Sequence, residues 1–337
     1  VINTIWFIVL AFMLAGYAVL DGFDLGVGTL HLLLGRDSRE RARLIDSIGP
    51  VWNGNEVWLL AAGGSMFVAF PHLYATSFSG FYLALMLVLW LLLLRGLGIE
   101  FRHQIDSELW RHAWDVAFSV ASALLALLFG VALGNVLRGV PLDAAGEFRG
   151  TFALMLNPFA LLGGLLSVAM LSLHGAAWTA VKTGGALQAR ARTFAGVLWW
   201  IAGALLAAMV AASFAVRPDF TRNFAAHPLL VAIPLVTVAA FVEVRRALAR
   251  AADVRVFVAC AAVVAGILGS VAAGLYPQLL PARPGSPHPG LDIYNAASPE
   301  GSLRTALAVY SFGMLLVIGY LVNIYRIWRG KAGEVYH

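Results

Sequence analysis

Charge is what this sequence has least of. Only 12% of its 337 residues are Asp, Glu, Lys or Arg, about half the roughly 25% of an ordinary soluble chain. So few charges cannot cover a globule of this size, which excludes the two water-soluble domains that length alone suggests at roughly 150 residues each. Cysteine is nearly absent: Cys260 is the single one and lies in the apolar run 256–270, so an intrachain disulfide is excluded. There is no Cys/His metal spacing, no phosphate-cradling glycine loop and no nucleophile elbow. A redox or bond-breaking centre is therefore not expected on this chain. The N-terminus shows no basic stretch followed by a small-residue cleavage site, which predicts no secretory signal.

What is present is apolar length. Hydrophobic residues make up 61% and the mean hydropathy is +0.82. The runs are long rather than alternating, which predicts an all-α, polytopic membrane protein. At about 20 residues per crossing, nine spans are expected, near 2–34, 50–70, 76–99, 114–137, 151–181, 194–215, 228–244, 256–276 and 303–328. The second is polar for lipid, with Gly54, Asn55, Glu56, Gly63, Gly64 and Ser65, and is expected to be buried against other helices. The chain reads as one transmembrane domain, residues 1–337, with approximate halves 1–137 and 151–276, a final helix 303–328 and a Pro-rich loop 277–302. That loop, with Pro277, Pro281, Pro284, Pro287, Pro289 and Pro299, is expected to be extended rather than a folded module.

Alternate connections sort the basic residues. Segments 35–49, 95–113, 182–193 and 245–255 plus the C-terminal tail collect 17 of 23 Lys and Arg. The opposite side holds Arg138, Arg149, Arg217, Arg222, Arg283 and Arg304. By the positive-inside rule the N-terminus is outside and the C-terminus cytoplasmic. Topology thus accounts for the formal net charge of +5, and nucleic acid is not an expected partner.

Two stretches could carry chemistry. In Tyr17-Ala-Val-Leu-Asp-Gly-Phe-Asp-Leu-Gly-Val-Gly-Thr-Leu-His31, residues Asp21, Asp24, Gly28 and His31 fall within an arc of about 80° on a helix. An intramembrane acid costs roughly 2.5–3.5 kcal/mol on insertion scales, so these must face protein or water. They read as a proton relay or ion site, or as acids satisfied by an arginine or a free backbone group. Gly22 and Gly26 form a small-xxx-small pair that admits a neighbouring backbone. The second stretch is Gly49-Pro-Val-Trp-Asn-Gly-Asn-Glu-Val-Trp58, in which Asn53 and Glu56 are three apart and share a face. Glu56 is expected near the depth of His31, the two forming a mouth ahead of Asp24 and Asp21. Alternatively, Glu56 pairs with an arginine of 36–43 and fixes the turn. His174 reads as a haem ligand or as a hydrogen-bonded packing residue, Asp115 and Glu100 as span-end charges reaching headgroups, and Arg36–Arg43 as a solvated connection.

These motifs resemble subunit II of the cytochrome bd-type quinol oxidase family, the cyanide-insensitive type included. The resemblance rests on Asp21-Gly-Phe-Asp-Leu-Gly-Val-Gly28 and Trp52-Asn-Gly-Asn-Glu-Val-Trp58, and continues through Phe78–Tyr82, Trp110–Asp115, Gly130–Asn135, Asn157–Phe159 and Ile293–Ser298. It implies a pseudo-symmetric pair of four-helix bundles plus one peripheral helix. It implies a partner, subunit I, that carries two haem b and one haem d and oxidises quinol, with none of these bound firmly here. It also implies a structural quinone in some members, and a proton path from the cytoplasm involving Asp21, Asp24, His31, Asn53 and Glu56. Where some members carry Asp, this sequence has Asn53, which cannot titrate; Glu56 is the candidate replacement. Trp58 is placed toward the inter-subunit side, where relatives have an apolar dioxygen route. Small single-helix subunits, quinol and lipid are further candidate partners, and the bacterial cytoplasmic (inner) membrane is the expected location. Two other classes compete: a proton-coupled secondary transporter with acids on a glycine-interrupted helix, and a b-type cytochrome anchor using His31 and His174.

Overall fold

The computed structural model describes residues 1–332. Its helices, in chain order, are α1 (Ile2–Leu34), α2 (Ser38–Ile48), α3 (Trp52–Ala69), α4 (Pro71–Gly80), α5 (Tyr82–Phe101), α6 (Glu108–Arg138), α7 (Phe152–Met155), α8 (Pro158–Lys182), α9 (Gly185–Val216), α10 (Arg222–Ala226), α11 (Ala232–Ala249), α12 (Asp253–Leu275) and α13 (Glu300–Ile327). The all-α, multi-pass architecture is the expected one. Helix α8 packs against α1, α6, α9 and α12, α1 also against α3 and α6, α5 against α6 and α11 against α12, while α13 lies on the periphery against α1 and α3.

Among the described residues, eight helices are long and apolar enough to cross a membrane, rather than nine. The expected span 50–70 is helix α3, but its 18 residues include Asn53, Asn55 and Glu56 and fall short of lipid-like apolarity. The span expected at 76–99 is broken. Pro71 opens α4 and Phe81, at φ −93° and ψ 17°, separates it from α5. The ring of Phe148 packs against the backbone of Gly80 beside the break.

Ends are set by local chemistry. Asn157 accepts from the backbone N–H of Ala160 and Pro158 follows it, an N-cap and N1 pair that starts α8 seven residues after the expected 151. The 35–49 connection is not merely solvated chain: it contains α2. Asp37 accepts from Glu40 N at 2.8 Å while Glu40 Oε2 accepts from Arg36 N at 2.9 Å, reciprocal capping that starts the helix. Leu44, Ile45 and Ile48 then bury its apolar side.

The two halves meet where side chains are missing. A Cβ on Gly26 would lie 1.8 Å from the Leu171 carbonyl oxygen, and one on Gly175 would lie 2.2 Å from the carbonyl carbon of Gly26. The pair Gly22 and Gly26 therefore admits the backbone of α8, as its spacing predicts. Gly130 and Gly134 of α6 similarly approach Gly163 and Ala160 of α8.

The Pro-rich loop is folded, contrary to expectation. Strands β1 (Gln278–Pro281) and β2 (Gly290–Asp292) pair antiparallel, and Val140 hydrogen-bonds beside them through Pro281 O and Arg283 N. The prolines sit at strand ends and turns, where no ladder hydrogen bond is lost. Asn3 donates to Ile293 O at 2.6 Å, Trp6 to Leu303 O at 3.1 Å, and Ser298 to Val68 O at 2.7 Å. The loop is thereby tied over the N-terminal end of α1.

Candidate proton-relay site

Helix α1 carries the polar stripe inward. Asp21, Asp24 and His31 are all fully buried, so each must find a partner within the chain. Three neighbouring helices supply them.

Asp24 Oδ2 accepts from Asn55 Nδ2 at 2.8 Å, and Asn55 Oδ1 accepts from the Tyr325 hydroxyl at 3.0 Å. Asp24 Oδ1 has no hydrogen-bond partner among the described residues. Asp21 is held differently: Arg95 donates from Nη1 to its Oδ1 at 2.6 Å and from Nη2 to Glu56 Oε2 at 3.4 Å. Asp21 thus has an arginine and Asp24 a neutral amide.

His31 belongs to a separate cluster. Its Nε2 lies 2.7 Å from Asp115 Oδ1, which also accepts from Arg102 Nε at 2.6 Å, while Arg41 Nη1 stands 3.5 Å from Asp115 Oδ2. Asp115 is only 1% exposed and does not reach headgroups as a span-end charge would.

The expected pairing of Glu56 with His31 does not form. Helix α3 runs antiparallel to α1, and the Asn55–Asp24 bond fixes the register. The next residue, Glu56, therefore joins Asp21 across Arg95 and lies away from His31. Its partner is Arg95 of α5, not an arginine of 36–43. Asn53 is exposed, two positions from Asn55 and roughly 200° around the helix; the asparagine that meets the acids is Asn55. Trp58 is 5% exposed, its ring filling the space over Gly16 and meeting Phe12 edge-on at 5.6 Å. It packs within the chain.

Sequence reading missed Arg95, Asn55, Asp115 and Tyr325 as members of the network. Arg95 had a signal: a lone cation after the apolar run Leu91–Leu94, on a helix with no other charge until Glu100.

These observations define a class: a helical, multi-pass membrane subunit whose core carries carboxylates, arginines and a histidine but, among the described residues, no group of acids, histidines or cysteines able to hold a metal. The chain belongs to the cytochrome bd terminal oxidase subunit II family, whose model matches residues 2–328, and so is a subunit of an oxidoreductase complex. It is 36% identical to a Haemophilus influenzae protein described as a probable cytochrome oxidase subunit 2, over 97% of this chain and 94% of that one. It is 32% identical to a Bacillus subtilis cytochrome bd ubiquinol oxidase subunit 2, over 99% and 97%. An Escherichia coli cytochrome bd-I ubiquinol oxidase subunit 2 is 44% identical over 58% of this chain and 53% of its own. The fold matches a chain of the bd oxidase from Geobacillus thermodenitrificans with a TM-score of 0.80, at 20% identity and covering 97% and 98% of the two chains.

A cytochrome bd complex implies haem, and each of the two buried histidines of this chain has one ring nitrogen engaged within the fold. His174 has its Nε2 3.0 Å from the Val19 carbonyl and its ring stacked on Phe257 at 4.8 Å. His31 has its Nε2 on Asp115. In both rings Nδ1 has no hydrogen-bond partner among the described residues.

Proposed function

We propose that this chain is the haem-free subunit II of a quinol:dioxygen oxidoreductase in an aerobic respiratory chain, stabilising a haem-bearing subunit I and supplying it with cytoplasmic protons. Quinol, two haem b and one haem d belong to the complex through subunit I; small single-helix subunits and a structural quinone are compatible with it. The basic ends of the helices face the cytoplasm of a bacterial inner membrane, with the N-terminus outside.

The observation that carries the proton-supply role is Asp24: fully buried and bonded to a neutral amide, whereas Asp21, which also has one unpartnered carboxyl oxygen, is held by Arg95. Asp21 and Glu56, on Arg95, and His31, on Asp115, frame this acid with fixed charge and keep the surrounding helices in register. Asn53, on the exposed side of α3, has no proton to exchange. Trp58 supports this site by closing α3 onto α1 and is not itself the dioxygen route.

The test is Asp24→Asn in the assembled oxidase. Oxygen consumption falls several-fold at constant haem content. An unchanged rate would leave Asp24 a packing residue. Family membership displaces the transporter reading.

A further inference from the structure

Tyr325 touches both the buried network and the surface. Its hydroxyl donates to Asn55 at 3.0 Å, and Asn55 donates in turn to Asp24 at 2.8 Å. The same tyrosine lines a cleft between α2, α8 and the end of α13, together with Asp46, Ser47, Trp178 and Lys182. That cleft reaches the surface at the exposed residues Gly330 and Lys331. Its free volume, about 20 Å³, exceeds the roughly 10–15 Å³ that one water requires. A line of contact therefore runs from solvent to Asp24 without passing Arg95 or Arg102.

Asp46 is the acid of this cleft. It is half-buried and makes no hydrogen bond or ion pair with a described residue. Burial raises its carboxyl above the ordinary range, while Arg102 and His103, beyond the end of α5, act in the opposite sense. Tyr325 on α13, Lys182 on α8 and Lys331 after α13 face the same space. Lys182 is already committed, donating to the carbonyls of Trp328 and Gly330 and lying 5.1 Å from the centre of the Trp178 ring. It clips residues 328–330 to α8 and so fixes the outer wall of the cleft.

We propose that this cleft is the intake for protons bound for Asp24, with Asp46 as the collecting acid in its lining and, as positioning residues, Tyr325 on its wall and Asn55 behind the tyrosine. The proposal deepens the proton-supply reading and rests on it. Asp46 takes a proton from solvent and passes it to a water held by the Tyr325 hydroxyl. That water passes one to the uncommitted oxygen of Asp24. One proton enters and one arrives, and no bond between heavier atoms changes. Asn55, which cannot titrate, tethers the tyrosine to the acid.

The test uses the complete purified oxidase, subunit I and haems included. Tyr325→Phe and Asp46→Asn each lower oxygen consumption several-fold at unchanged haem content. The deficit widens as pH rises and protons become scarce, the solvent deuterium isotope effect increases, and Asp46→Glu restores the rate. Should Tyr325→Phe fail to assemble, the Asp46 pair decides alone, since that side chain is bonded to nothing the fold needs. Full rates and an unaltered pH profile in Asp46→Asn, with Asp24→Asn still slow, overturn the intake and leave the relay standing. So does an equal loss at every pH with no change in isotope effect, which marks a packing defect. A full rate in Asp24→Asn removes the relay itself.

Discussion

At the scale of single residues, the decisive contrast is between two acids one helical turn apart. Asp21 shares Arg95 with Glu56, and Asp24 meets only Asn55. A buried ion pair is costly to make and costlier to break, since removing one member leaves the other uncompensated, a loss of about 3–5 kcal/mol. Arg95→Leu is therefore expected to lower the thermal unfolding temperature of the detergent-solubilised complex sharply, and Asp21→Asn in the same chain to recover part of the loss. Glu40 allows a milder test away from the membrane core. The Arg190 guanidinium bonded to it holds its carboxyl below the ordinary glutamate range. A lowered folded-state value means the stabilisation is fully present above that range and is lost as pH falls through it. Glu40→Gln should thus cost up to about 1 kcal/mol at neutral pH, with melting curves of variant and parent converging in acid. The sequence displayed Asp21, Asp24 and His31 on one stripe, but their partners depend on how α1, α3, α5 and α6 are set against one another. Asn53 and Asn55 belong to the same motif and point to opposite sides of a helix. Only the register of α3 against α1 tells them apart.

At the scale of elements, contact between the halves depends on absent side chains. Where α1 crosses α8, Gly26 and Gly175 bring backbone onto backbone. Gly175→Val has no flexible neighbour to displace and is expected to cost at least about 1–3 kcal/mol, read as a several-fold drop in monodisperse complex on size-exclusion chromatography. Gly196→Ala, with nothing within 4 Å of the added carbon, should leave that yield unchanged. The spacing of Gly22 and Gly26 announced a close neighbour, though not which one, because spacing describes one surface and not its complement. Asn157-Pro158 carries its own local instruction, as N-cap and first residue of α8. The break at Phe81 had no comparable signal, since the residues around it continue a helical pattern.

At the scale of the whole molecule, hydropathy and charge carried most of the reading. The peripheral last helix came from the family resemblance, while the multi-pass helical class followed from hydropathy and charge. The polar α3 and the folded 277–302 loop did not: one is stabilised by neighbouring helices, and the other by pairing between residues far apart in sequence. If the basic ends are cytoplasmic, an enzymatic reporter fused at the C-terminus should be active on the cytoplasmic side and one within 284–288 outside; the opposite assignment would overturn the orientation argument. The ties at the first helix have a consequence for biogenesis. Asn3 and Trp6 emerge from the ribosome long before their acceptors, Ile293 and Leu303, which lie 290 and 297 residues further along. Tyr325, which completes the contact at Asn55, is later still. Helix α1 therefore waits in the membrane with donors unanswered until α13 is made, and a chain cut short before that helix carries the defect as a mark that quality-control proteases can read.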